Sequence, residues 1–191
     1  MPTPRILAFA GSTRSDSWNK KLIKVAVEGA RAGGAEVTLI DLRDFPLPLF
    51  DQDLEAAGFP ETAKKLKQLF LQHQGLLISS PEYNSSISGV LKNAIDWVSR
   101  PEPGEASLAC FTDKVAGLVS ASIGALGGLR GLVHLRAILG NIKVLVLPDQ
   151  VAVSKAQDAF NPDGTLKDAK QAAAVQKVGK LLAETIAKLR A

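Results

Sequence analysis

The chain has 191 residues, 46% hydrophobic and 22% charged, the proportions of a soluble globular domain with one sizeable core. No apolar run approaches the ~18 residues needed to cross a bilayer, MPTPR enters the first strand-like run too soon for a signal peptide, and the lone Cys110 excludes an internal disulfide and fits a reducing, cytoplasmic compartment. A net charge of +4 would flag nucleic-acid binding, but Lys and Arg interleave with Asp and Glu and no basic stripe carries aromatics, so a nucleic-acid partner is not expected, although the charge suits a polyanionic nucleotide.

RILAFA at 5–10 is an apolar run without strict alternation, as in a strand buried on both faces. A helix follows from Asn19 to about Arg31, with Leu22, Ile23, Ala26 and Ala30 on its apolar side, and Gly33–Gly34 ends it. EVTLIDL makes the second strand, and RDFPLPLFDQDLEAAGFP, with three prolines and no clean period, reads as a long loop. A second helix spans about Glu61–His73, GLLISS is the third strand, and a third helix covers roughly Val90–Ser99. The pairs Lys20–Lys21 and Lys64–Lys65 read as solvated helix faces. DKVAGLVSAS is the fourth strand, a fourth helix runs from about Leu129 to Leu139, and NIKVLVLP is the fifth strand. SKAQDAFNPDGTLKD is a turn-rich connection around Pro162-Asp163-Gly164. The last helix, to Leu189, aligns Val175, Val178, Leu182, Ile186 and Leu189. This alternation predicts one α/β domain over residues 1–191: a parallel five-stranded sheet in order 2-1-3-4-5 with helices on both faces, a three-layer sandwich.

In that order strands 1 and 3 lie side by side where the winding reverses, and ligands bind outside their carboxyl ends. The loop after strand 1, GSTRSDSWN at 11–19, has the groups a phosphate monoester needs. Gly11 allows close backbone approach, Ser12, Thr13 and Ser17 supply hydroxyls, and Arg14 offers a planar cationic fork. Asn19 is placed to cap the following helix, whose free N–H groups and dipole favour an anion. Neither G-x-x-x-x-G-K-[ST] nor G-x-G-x-x-G is present, and a plain polar strand-to-helix turn is the competing reading.

The loop after strand 3, SPEYNSSISG, carries the only tyrosine in Pro81-Glu82-Tyr83-Asn84. Backbone N–H groups there suit the pyrimidine edge of a flavin, with Tyr83 over a ring face. After strand 4, SASIGALGGLRG adds donors at Ser120 and Ser122, and its glycines Gly124, Gly127 and Gly128 permit close approach to a flat ring. Three loops converging on one crevice point to a phosphorylated, planar cofactor, with FMN the leading candidate. The third helix is expected to expose Trp97 near its end. His73 and His134 are too few and too distant for a metal-ligand set, and His134 reads as packed or interfacial. Cys110, with no electropositive partner evident, reads as inert packing, and no G-x-S-x-G supports a hydrolase.

GSTRSDSWNKKL, SPEYNSSISGVLKNAIDWVSR, SASIGALGGLRGLVHLR and AFNPDGTLKD together resemble the NADPH-dependent FMN reductases, a flavodoxin-like family that includes quinone, chromate and azo-dye reductases. The resemblance covers nearly the whole chain in the expected order. It implies that Ser12, Arg14, Ser17 and Asn19 hold the FMN phosphate, that Pro81, Glu82, Tyr83 and Asn84 line the flavin, and that Ser120 and Gly124 close the third side, with Gly11 at the turn. It also implies a homodimer or homotetramer with the helices around Trp97 and Leu132–Leu139 at the contact, NADPH (or NADH) as hydride donor, and a small electron acceptor. The flavin carries the chemistry, so no catalytic side chain and no metal is expected. Two other classes stay open at this point: a flavodoxin-like electron carrier without its own nicotinamide site, and a cofactor-free interaction domain on the same fold.

Overall fold

The computed structural model describes residues 2–190. The apolar runs become the strands β1 (Arg5–Ala10), β2 (Glu36–Asp41), β3 (Gly75–Ser79), β6 (Val115–Ala121) and β7 (Leu145–Val153), all paired parallel in the order β2-β1-β3-β6-β7. Counting only strands of this sheet, that is the expected 2-1-3-4-5. The central strands β3 and β6 are buried along their whole length because helices cover both faces. The helices α1 (Trp18–Ala32) and α7 (Ala169–Leu189) pack on one face; α3 (Glu61–Gln72), α4 (Gly89–Ser99) and α5 (Leu129–Asn141) pack on the other. α1 and α7 cross so closely that a Cβ on Gly29 would stand 1.8 Å from the Gln176 carbonyl oxygen, so side chains larger than hydrogen are excluded there.

Several local expectations are corrected. The long loop after β2 contains a single 3-10 turn at Leu42–Asp44 and a short helix, α2 (Gln52–Ala57), which Asp51 caps by accepting from the Asp53 and Leu54 amides. That segment folds back over α4. Phe50 and Phe59 meet the Trp97 ring edge-on at 5.0 and 5.4 Å, and the indole Nε1 donates to the Pro48 carbonyl at 2.8 Å. Trp97 is therefore 0% exposed, not presented to a partner.

The last strand starts and ends later than the sequence pattern suggests. Asn141 still belongs to α5 and Lys143 turns with φ 72°. β7 then continues through Pro148, because the register with β6 shifts between Ala116 and Leu118 and leaves that stretch out of the ladder. A two-stranded hairpin, β4 (Glu82–Tyr83) and β5 (Ser86–Ile87), stands in the loop after β3. Leu189 is exposed, while Val175, Val178, Leu182 and Ile186 are buried as the period requires. The connection after β7 holds a one-turn helix, α6 (Ala156–Ala159), before its turn.

Candidate active site

The carboxyl ends of β1, β3 and β6 surround a cleft of about 420 Å³. Its first wall is the loop between β1 and α1. Gly11 donates its N–H to the Ser79 carbonyl at 2.9 Å, and its own carbonyl accepts from the Ser88 hydroxyl at 2.5 Å. A Cβ there would lie 2.9 Å from Leu91 Cβ, so the loop is seated tightly on α4. Arg43 clamps its outer side, Nε donating to the Thr13 carbonyl at 2.9 Å.

Ser17, not Asn19, occupies the N-cap position of α1, and its side chain makes no capping bond. Ser17 is 4% exposed, lines the cleft, and its hydroxyl has no partner among the described residues. The N–H groups of Trp18 and Asn19, in the first turn of a 15-residue helix, are likewise without an acceptor among the described residues. Arg14 is exposed at the same end, with its backbone N–H 3.3 Å from the Ser12 hydroxyl that accepts it. Asp16, the nearby carboxylate, is held below its usual range by the hydrogen bond and charge of Lys21 at 2.7 Å. Free donors, a cation and a helix N-terminus thus line one side of the cleft, the chemistry of an anion site.

The capping role read for Asn19 is corrected. Its Nδ2 donates to the Ala121 carbonyl at 2.9 Å, and its Oδ1 accepts from the Ala121 amide at 3.0 Å and the Ser79 hydroxyl at 2.9 Å. The side chain ties α1 to the ends of β3 and β6 and so sets the width of the cleft.

The second wall is the β4–β5 hairpin. Its turn residues Asn84 and Ser85 have φ of 51° and 62°, the left-handed pair of a type I′ turn. Pro81 is buried and Tyr83, 59% exposed, stands at the rim; both line the cleft. Asn84 sits at the exposed turn, outside the lining. Glu82 lines the cleft but spends one carboxylate oxygen on the Gly131 amide at 2.8 Å, which pins the hairpin to the start of α5. His134 is exposed, with Nδ1 3.0 Å from the Ser86 hydroxyl, so it is not packed in the core.

The third wall follows β6: Ala121, Ser122 and Ile123 line it, whereas Gly124 is exposed outside. Ser120 is fully buried and gives its hydroxyl to the Ser80 carbonyl at 2.6 Å, so it joins the end of β6 to the loop after β3 and is not part of the cleft lining. The N-cap of α5, Gly128 at φ 94°, packs against it so closely that a Cβ would stand 1.9 Å from Ser120 Oγ. Trp18, an apolar ring among the donors of the first loop, also lines the cleft. Its ring stacks on Phe160 at 5.5 Å with 19° between planes, and Lys21 Nζ lies 4.3 Å from its centroid. The NPDG turn serves this wall by folding Leu166 back beside Phe160. An aromatic within a polar loop was the available signal.

Cys110 is buried, and burial pushes its thiol up to about 11, which makes it a packing residue. His73 is buried too, with Nδ1 2.6 Å from the Leu69 carbonyl oxygen and Nε2 2.7 Å from the Thr38 hydroxyl.

The family model described as NADPH-dependent FMN reductase matches residues 4–158. An NAD(P)H-dependent FMN reductase of Pseudomonas aeruginosa is 36% identical over 187 residues, 97% of each chain. A 2-hydroxy-1,4-benzoquinone reductase of a Burkholderia species is 35% identical over 143 residues, 75% of this chain and 74% of its own. Among solved structures, FerB, a flavoenzyme NAD(P)H:(acceptor) oxidoreductase from Paracoccus denitrificans, superposes with a TM-score of 0.82 at 28% identity, covering 97% of this chain and 98% of that one. All three loops of the cleft fall inside the matched span, and with this fold and these relatives the chain belongs to the NADPH-dependent FMN reductase family and is an oxidoreductase.

Proposed function

We propose that this protein, as one domain over residues 1–191, binds FMN and passes reducing equivalents from NADPH or NADH to quinones and other small acceptors, such as chromate, azo or nitro compounds or free flavin, in a ping-pong cycle. The observation that carries the reading is the Ser17 hydroxyl, open to the cleft and without a partner among the described residues, beside the two free amides that start α1. A phosphate monoester satisfies all three at once, and the residues present fit FMN. Ser12, Ser17, Arg14 and the amides of Trp18 and Asn19 hold the phosphate. Pro81, Tyr83, Trp18 and Ile123 offer apolar or aromatic faces to a flat ring, and the Glu82–Asn84 backbone supplies donors for its polar edge. Asn19, Glu82 and Ser120 act by holding the three walls in place. Bound FMN would supply the two-electron chemistry that the side chains lack.

The homodimer or homotetramer reading moves from Trp97 to α5. Leu132, Leu135 and Leu139 are buried, but Leu129 and Val133 are 42% and 57% exposed, and Leu126 and Ile123 extend that stripe to the cleft. A second copy covering this stripe would border the site. The lone, buried thiol supports a cytoplasmic location, and no described helix is long and apolar enough to cross a membrane.

The test is anaerobic: flavin absorbance of the FMN-loaded protein should bleach with NADPH alone and return with a quinone. Double-reciprocal plots at several acceptor concentrations should be parallel. Intersecting lines would refute the shared-face cycle, and absence of bleaching would favour an electron carrier.

A further inference from the structure

Between the lining residues Ser12 and Arg14, Thr13 turns away from the cleft and borders a separate, largely apolar hollow together with Arg43. Arg43, in the 3-10 turn that follows β2, donates to the Thr13 carbonyl from both Nε, at 2.9 Å, and Nη2. It is held in turn: its N–H donates to Asp41 Oδ1 at 3.0 Å, and Asp41 Oδ2 accepts from Lys20 Nζ at 2.5 Å. Lys20 stands in the first turn of α1, where its N–H donates to the Ser17 carbonyl at 3.0 Å. One carboxylate and one guanidinium thus join the end of β2, the loop after β1 and the start of α1.

A trans peptide unit is planar, and its C=O and the N–H that follows point in opposite directions. The two Arg43 donors fix the Thr13 oxygen outward, away from the cleft. The Arg14 N–H then turns the other way, where the hydroxyl of the lining residue Ser12 accepts it at 3.3 Å. Thr13 and Arg14 are both exposed, so packing does little to hold this peptide plane and the hydrogen bonds decide it. Half a turn of the plane would aim the partial negative charge of the oxygen at any anion seated on the α1 donors, where successive N–H groups are what an anion needs.

We propose that Arg43 is a positioning residue for the flavin phosphate: from outside the cleft it sets the Thr13–Arg14 peptide so that the N–H, and not the oxygen, faces the anion. The proposal rests on the FMN reading above. It gives a role in cofactor binding to a side chain that is not part of the cleft lining.

Flavin fluorescence quenching on the full-length apoprotein gives the affinities for FMN and for riboflavin, which differ only in the phosphate. Arg43→Ala should weaken FMN about tenfold, the lower end for a hydrogen bond from a charged group because the contact is exposed, and riboflavin less than about twofold. Arg43→Lys keeps a charged donor within reach of the carbonyl and should return FMN affinity to within about threefold of the natural protein. The difference between the natural and Arg43→Ala proteins should persist at about 0.5 M salt, which screens a remote cation but leaves an oriented peptide in place. Equal loss of both flavins, no recovery in Arg43→Lys, or a difference that vanishes in salt overturns the proposal. If the natural protein prefers FMN to riboflavin and Arg43→Ala keeps that preference in full, the proposal falls and the FMN reading stands. A natural protein without any preference for FMN overturns both.

Discussion

Replacing Asn19 by alanine removes three buried hydrogen bonds, to the Ala121 carbonyl, the Ala121 amide and the Ser79 hydroxyl. Ala121 is 3% exposed and Ser79 0%, so their groups have no ready route to water except through the space the amide leaves. A buried polar group stripped of its partner costs roughly 1–3 kcal/mol. Asn19 lines the cleft, so water can reach part of the vacated site. The total is then about 3 kcal/mol, below the sum of three full penalties. For a chain of this size that lowers the melting temperature by about 6–12 °C. The bonds also hold the start of α1 against the end of β6, so FMN affinity of the apoprotein should fall together with stability. Urea titration followed by circular dichroism gives the first quantity and flavin fluorescence quenching the second. A stability loss under about 1 kcal/mol with FMN affinity unchanged would refute the view that Asn19 is the brace of the cleft.

Arg14→Ala should weaken FMN by about 1.5–3 kcal/mol and leave riboflavin, which lacks the phosphate, almost unaffected; equal losses would remove Arg14 from the phosphate site. Trp97→Glu should prevent folding, since it strands a carboxylate where Phe50, Phe59 and the Pro48 carbonyl enclose the indole; a folded monomer from this variant would restore Trp97 to an interface. Lys114 provides a pH test. Burial, with Arg190 adding to it, holds the ammonium down at about 8 from an ordinary 10.5, so between those values the folded chain binds fewer protons than the unfolded one and stability rises with pH. The melting-temperature difference between Lys114→Met and the natural protein should therefore favour Met most below pH 8 and shrink toward pH 10.5. A difference independent of pH would contradict this.

The alternation of apolar runs and amphipathic segments was enough to read the sheet order and both helical layers, because a strand buried on two faces and a helix buried on one leave different periods in the chain. That the Gly11–Asn19 loop lines a cleft at the sheet's carboxyl edge follows from its place after the first strand, because loops there border the point where the winding reverses. Composition could not say which polar residues turn toward a ligand and which toward neighbouring backbone, since both tasks need the same donors. Ser17 was left free for the cleft, while Asn19, Glu82 and Ser120 were drawn inward to hold three loops that are distant in sequence. Trp97 shows the same limit for apolar surface. The sequence leads one to expect an exposed Trp97 only because the covering segment around Pro48, Phe50 and Phe59 lies more than thirty residues earlier and has no period of its own. Local sequence thus determined which elements form and in what order they pair. The tertiary structure decided which of their side chains remained unpaired at the sheet's carboxyl edge, because that depends on contacts made across the chain after the elements have packed.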